Sequence, residues 1–442
     1  MDSFHCRRRG RPVGGSFSEK QDDTERRRRA KEHFFARCQM KKAVMYGAGN
    51  IGRGFIGERF SLSGYETAFI DINMTVIDRL NNDHEYPLYI TKGAEYQQTA
   101  VKNVRGVNGK DVAAVAAEIA ACDIMATAVG VNVLPFITEP VAAGIKARFE
   151  AGARPLNIII CENKLGADAY LRELIGQKLE GDVLAYFNES VGLVEASIGR
   201  MVPATPKEIS EKNPLAVCVE EYCTLPVDKD AFKGEIPEIK GMVPFAPFEF
   251  YIQRKLFMHN MSHALTAYLG NLKGYTHIWQ AATDAQIQII ALRALMESSQ
   301  ALSQIHNVPL PELIDHSEDL LYRFENKLLG DPVSRVGNDT IRKLSPSDRL
   351  VGAYNAAVKC GIHPVYIELG IAAALHFAPA GDERSAEVAA CAANEGVAVA
   401  LGKYSNITCK KAVEEITALY DLLSSFDGDT LFLKLQELKH NN

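Results

Sequence analysis

The chain has 442 residues, 47 % hydrophobic and 24 % charged, with a formal charge of -6. At roughly 100–200 residues per domain, this predicts two or three globular domains and ample chain for a large core. A disordered chain, a collagen-like repeat and a coiled coil are excluded as the main architecture, and no apolar run reaches the roughly 18 residues of a spanning helix.

Charge is unevenly spread. Residues 1–39 hold 9 Arg and 2 Lys against 6 Asp and Glu, a balance of +5. Residues 40–442 hold 38 basic and 49 acidic residues, a balance of -11. An acidic body argues against a nucleic-acid partner, and no membrane partner is expected. The leader, with Arg7-Arg8-Arg9 and Arg26 to Arg29, has too few aliphatic residues to offset ordering entropy. It reads as a disordered basic extension over 1–39. Glu19, Asp22, Asp23, Glu25 and Glu32 argue against a transit peptide. The plainer expectation is an inert extension, with Met40, directly before the first strand, a candidate for the true start. The nine cysteines form no CxxC pair and no zinc-spaced cluster, which predicts reduced thiols in a cytoplasmic protein.

Ala43 to Tyr46 reads as a short buried strand, followed by a helix carrying Phe55, Ile56, Phe60 and Leu62. A second strand spans Thr67 to Ile72, and a helix starts at Val76. Val112 to Ala121 reads as a helix, Asp123 to Val129 as a strand, Asn157 to Cys161 as a strand and Ala167 to Leu179 as a helix. Such alternation predicts an α/β, Rossmann-type, doubly wound parallel sheet over 40–235. The Pro- and Gly-rich stretch Gly234 to Pro247 reads as a connection. Beyond it, Phe250–Leu269, Asp284–Ile305, Pro311–Leu329, Tyr366–Phe377, Ser385–Ala393 and Cys409–Leu423 read as helices. Residues 236–442 are therefore expected to form a mostly α-helical substrate domain.

Between the first strand and helix lies Gly47-Ala48-Gly49-Asn50-Ile51-Gly52, which matches G-x-G-x-x-G. The string alone is weak evidence; its place between strand and helix gives it weight. Gly47 suits the tight turn, Gly49 lets a pyrophosphate approach the backbone, and Gly52 allows close helix–strand packing. The helix N-terminus offers N–H groups to the phosphates. Asp71 ends the second strand, where an acid binds ribose hydroxyls and repels a 2′-phosphate. The expected cofactor is therefore NAD. Ala128, Val129 and Gly130 follow another strand and are expected to pass near it.

Lys255, Asn260 and His263 fall within one long predicted helix. On a regular α-helix they project at about 0°, 140° and 80°. All three project from one side, and an amine, an amide and an imidazole on one face suit alcohol–ketone chemistry, the amine taking the hydroxyl proton and amide donors holding the oxyanion. Taken alone, a solvated Lys and a packed His is the plainer reading. His259 and His263 are spaced i, i+4, but H-E-x-x-H is absent, so no metal is expected there.

These residues bring a resemblance into view. The opening Gly47 to Gly54 resembles that of the polyol-specific long-chain dehydrogenases, above all the members acting on mannitol 1-phosphate. Supporting stretches are Cys161-Glu162-Asn163, Val219 to Tyr222, Arg254 to Phe257 with Asn260 and His263, Arg335 to Gly337, Arg342 to Ser345 and Asp348 to Leu350. They occur in order from about Met40 to about Ala418. The resemblance implies Lys255 as general base, Asn163 and Asn260 as an oxyanion hole, His263 as a binder of a substrate hydroxyl, and no metal. Where that family often has V-D-R-x-x-P, this chain has Ile198-Gly199-Arg200-Met201-Val202-Pro203, with Gly199 in place of the acid. Arg335, Arg342, Lys343 and Arg349 are candidates for the substrate phosphate.

The implied activity is reversible, NAD-dependent interconversion of D-mannitol 1-phosphate and D-fructose 6-phosphate by a monomer or dimer. The rival within the family is an enzyme of free mannitol or of a hexuronate. From another class, the rival is a non-catalytic NAD-sensing or nucleic-acid-binding protein using the Arg-rich leader.

Overall fold

The computed structural model describes residues 40–152, 154–425 and 428–440; the basic extension expected over 1–39 lies outside the described residues. Six parallel strands form the central sheet: β1 (Lys41–Tyr46), β2 (Tyr65–Asp71), β3 (Val104–Asn108), β4 (Ile124–Thr127), β5 (Leu156–Ile160) and β6 (Val191–Glu195). Their spatial order is β3-β2-β1-β4-β5-β6. The register pairs Ala43 with Ile124, Met125 with Ile158, and Ile159 with Val194. The strand order reverses at β1 and β4, so a crevice opens beyond their carboxyl ends, the usual place for a ligand in such sheets.

Both faces of this sheet are covered. Ala43 and Met45 point into one apolar cluster, while Val44 and Tyr46 point into another. A strand buried on both sides reads as a continuous apolar run, which is why Ala43 to Tyr46 and Asn157 to Cys161 were legible. A third cluster fills the helical half, built around Leu265, Leu295, Leu350, Ile371 and Ile416.

Several elements depart from the sequence reading. The hairpin Glu85–Lys92 and Glu95–Lys102 joins Val217–Val219 in a small second sheet. Its outer strand is mostly exposed and polar, so it carries no apolar signal. Leu134–Glu150 is a helix that continues through Pro140, a residue that ordinarily breaks helices. The expected helix Pro311–Leu329 ends at Phe324, and Asn326 caps a separate short turn, Lys327–Leu329. The connection 234–247 contains a short strand, Met242–Phe245, paired with Leu225–Asp228. The expected helix Phe250–Leu269 is present, but not as one regular α-helix. It runs as α-helix Glu249–Arg254, π turn Lys255–Asn260 and α-helix Met261–Leu272.

Buried ion pairs lock the glycine-rich opening and the helical half together. Arg200 pairs with Glu58, and its guanidinium also donates to Gly54 O at 3.1 Å and to Glu220 O at 2.9 Å. Arg323, from the helical half, donates to both Glu220 carboxylate oxygens at 2.7 and 2.6 Å. All seven cysteines among the described residues are free. No helix of the described residues is long and apolar enough to cross a membrane.

Candidate active site

Gly47 leaves β1 with φ +103°, and a Cβ there would meet Ala128 O at 2.5 Å. A Cβ on Gly52 would meet Gly47 O at 2.0 Å. These two glycines are therefore required by the turn itself. Gly49 differs: a Cβ on it would meet nothing within 4 Å and would project into the open cradle. The cradle thus has room for a ligand where the G-x-G-x-x-G geometry calls for a pyrophosphate. Ala48 is buried, Asn50 exposed and Ile51 partly buried at its rim.

Asp71 holds this rim. Its carboxylate accepts from Ala48 N–H at 2.8 Å and from Asn73 N–H at 2.9 Å. Arg53 braces the turn from behind, donating to Ala48 O at 2.7 Å and to Leu215 O. The first Arg after the glycines is therefore structural, which its position next to a phosphate motif conceals. Across the crevice, buried Glu162 accepts from Thr127 Oγ1 at 2.7 Å and Val129 N–H at 3.0 Å. It thereby fixes the loop Ala128, Val129 and Gly130, where Gly130 has φ +90°.

A cleft of about 320 Å³ lies beyond the ends of β5 and β6. Asn163 and Lys164 line it from the β5 end, Lys255 and Asn260 from the π turn, and Arg342 and Arg349 from the helical half. Lys255 Nζ donates to Asn163 Oδ1 at 3.3 Å. Burial pushes the Lys255 amine down to about 8, and the positive charge of Arg349 works in the same direction. An amine so tuned exchanges protons near neutral pH.

The π turn decides which residues meet. Widening the turn by one residue brings positions five apart towards one face. Lys255 and Asn260 are five apart, and both reach the cleft. His263 does not line it. Its ring stacks on Phe324 at 4.6 Å, and its Nε2 lies 3.8 Å from Asp331, beyond hydrogen-bond reach. Burial, with Arg335 next in effect, pushes this imidazole down to about 3, so it stays neutral. The regular 100° spacing expected for this helix therefore fails between Lys255 and Asn260.

The four candidate phosphate cations separate into two groups. Arg342 and Arg349 line the cleft, and Asp348 joins them, at 3.5 and 2.7 Å. Arg335 is mostly exposed, pairs with Asp331 and is not in the lining. Lys343 is buried, and its amine donates to the Asn338 carbonyl and to its Oδ1 at 3.0 Å. Burial, helped by Arg349 and Arg342, pushes Lys343 down to about 7. Sequence reading missed Lys164, Ser197 and Ser347 in the lining. Only Lys164 carried a usable signal, as the residue after Asn163 at a strand end. Gly199 also has a structural account. A Cβ there would meet the Tyr222 ring at 3.1 Å, and Arg323 both donates to Gly199 O at 2.6 Å and sits over that ring.

Comparison with known proteins agrees with this architecture. Residues 41–241 match the mannitol dehydrogenase Rossmann domain, and residues 248–424 match the mannitol dehydrogenase C-terminal domain. The chain is 38 % identical over 374 residues to a mannitol-1-phosphate 5-dehydrogenase of Brevibacillus brevis, covering 85 % of this chain and 96 % of that protein. It is 37 % identical over 380 residues to one of Caldanaerobacter subterraneus, covering 86 % and 94 %. Among solved structures, a D-sorbitol dehydrogenase superposes with a TM-score of 0.75 at 14 % identity, covering 89 % of this chain and 94 % of that one. A Pseudomonas fluorescens mannitol 2-dehydrogenase, in complex with NAD and D-mannitol, gives 0.67 at 16 % identity, covering 91 % and 95 %. With both halves matched in order and close relatives spanning most of its length, the chain belongs to the mannitol dehydrogenase family of oxidoreductases.

Proposed function

We propose that this chain interconverts D-mannitol 1-phosphate and D-fructose 6-phosphate with NAD as cofactor. The observation that carries the reading is the Lys255–Asn163 pair, set in a cleft that also presents Arg342 and Arg349. The two curated relatives, both named mannitol-1-phosphate 5-dehydrogenases, support the choice of substrate. In this reading residues 40–235 hold the cofactor and residues 236–442 supply the substrate side of the cleft.

NAD, when bound, supplies the hydride acceptor. Gly47 to Gly52 would hold its pyrophosphate and Asp71 its ribose hydroxyls. A carboxylate fixed by two backbone N–H groups offers no welcome to a 2′-phosphate. In polyol oxidation the neutral Lys255 amine takes the hydroxyl proton as the carbinol carbon loses hydride. In ketone reduction the Lys255 ammonium returns that proton to the forming alkoxide. Asn163 and Asn260 turn amide dipoles towards the oxygen whose charge develops. Asn163 also steers the amine by accepting its hydrogen bond. Arg342 and Arg349 fit a phosphate, since planar guanidinium groups pair with it through two hydrogen bonds. No step is assigned to His263, which packs behind the lining. The free, scattered thiols fit a reducing compartment such as the cytoplasm.

The test is NADH oxidation with a panel of fructose, fructose 6-phosphate and hexuronates. Fructose 6-phosphate is expected to give the highest kcat/KM. A preference for unphosphorylated fructose or a hexuronate overturns the substrate assignment and leaves the family chemistry standing.

A further inference from the structure

The helical half carries a second cluster of ligating side chains outside the cleft. His363 precedes the helix Val365–Ala374, Glu368 stands in its first turn, and Glu415 lies on the helix Lys410–Leu423. One ligating atom from each lies within 4.8 Å of the other two. His363 Nε2 is 2.8 Å from Glu415 Oε2, and both side chains are largely shielded, at 16 % and 12 % exposure.

Glu368 is the anomaly. It is 1 % exposed, and its Oε2 has no hydrogen-bond partner. Buried carboxyl groups are ordinarily satisfied by donors or cations. Capping does not explain it. Glu297 already accepts from the first-turn N–H groups of Tyr366 and Ile367, at 3.1 and 3.0 Å.

We propose that His363, Glu368 and Glu415 form a structural site for a divalent transition-metal ion of the zinc class. One imidazole and two carboxylates are a common donor set for such an ion, with water completing the shell. Two carboxylates also balance its charge, which makes burial of Glu368 as the anion tolerable. The partial exposure of His363 and Glu415 gives the ion and its water a way in. Lys411 lies 4.0 Å from the other Glu415 oxygen and can remain on that outer atom. The bound ion would tie the entrance of the 365–374 helix to the 410–423 helix, two elements that pack in the helical core. Binding would replace the His363–Glu415 contact with one metal bond from each residue.

The experiment uses the full chain stripped with EDTA and titrated with ZnCl₂ against a competing chromogenic chelator, with thermal melts in parallel. A single saturable equivalent and a rise in Tm are expected. Glu368→Gln should lose both, while melting in EDTA no lower than the parent, because a neutral amide replaces an unpaired buried acid. Glu415→Gln and His363→Gln, at partly exposed positions, should each weaken uptake by about tenfold or more; they decide the matter if Glu368→Gln fails to fold. Absence of saturable uptake overturns the site, as does uptake left unchanged by the variants that fold.

Discussion

Lys255 and Asn163 come from opposite halves of the molecule, 92 positions apart in sequence, and their side chains meet at 3.3 Å in the cleft. The amine is buried enough to fall to about 8, and the amide comes from the end of the fifth sheet strand. The proposed base and one wall of the proposed oxyanion site are thus assembled only when the halves pack.

Lys255→Met should lower kcat by about 10²- to 10⁴-fold, the usual contribution of a positioned acid–base group. KM for the sugar phosphate should change little, because Arg342 and Arg349 remain. Steady-state kinetics in both directions measure this, and near-parental kcat would remove Lys255 as the base.

The pH profiles should be mirror images. Polyol oxidation needs the neutral amine, so its rate should rise about tenfold per pH unit up to about 8 and then level. Ketone reduction needs the ammonium, so its rate should hold below about 8 and fall above it. Opposite slopes for the two directions, both lost in Lys255→Met, are the expected result.

Arg349→Gln should have two separable effects. Loss of the guanidinium should raise KM for the sugar phosphate by about 10- to 100-fold, in keeping with charge-assisted hydrogen bonds worth roughly 1.5–3 kcal/mol. Arg349 also helps hold the Lys255 amine down, so the pH limb should move upwards in this variant. Arg342→Gln should raise KM without moving the limb as far, because Arg349 is the cation that acts on Lys255. Identical behaviour of the two variants would show that the division of labour is wrong.

Two glycines of the same motif should behave oppositely. Gly49→Val places its branched side chain in the open cradle, so Tm should hold while NADH binding weakens about tenfold or more. Gly52→Ala drives a Cβ into the Gly47 carbonyl, so it should lower Tm before any binding measurement is possible. Melts and NADH fluorescence titrations separate the two.

Arg323→Met should strand the buried Glu220 carboxylate, which holds both Arg323 and the Met201 N–H. Breaking one side of a buried pair costs about 3–5 kcal/mol. The double variant Arg323→Met with Glu220→Gln should recover part of the lost Tm. A single variant as stable as the parent would mean that Glu220 is satisfied by its other donors.

Much of the first half was readable because it obeys local rules. Strands buried on both faces show as apolar runs, and the glycine motif sits between strand and helix. Asp71 marks a strand end by its spacing alone. The hairpin Glu85–Lys102 was not readable, because its outer strand faces solvent and has no apolar period to detect. Nor was the helix through Pro140, where local propensity argues against the element that forms.

From residue order alone came the parallel sheet and the helical second half; family resemblance added Lys255 and Asn163 as candidates and left four cations, Arg335, Arg342, Lys343 and Arg349, unsorted. Which of them meet depends on how the two halves pack. The π turn brings Asn260 round to Lys255 and leaves His263 stacked on Phe324, a change no regular periodicity forecasts. Packing buries Lys343 and leaves Lys255 partly exposed, opening on the cleft. The reason is physical. Residue type and spacing follow from the chain, but burial, facing charge and the turn of one helix belong to contacts between distant segments.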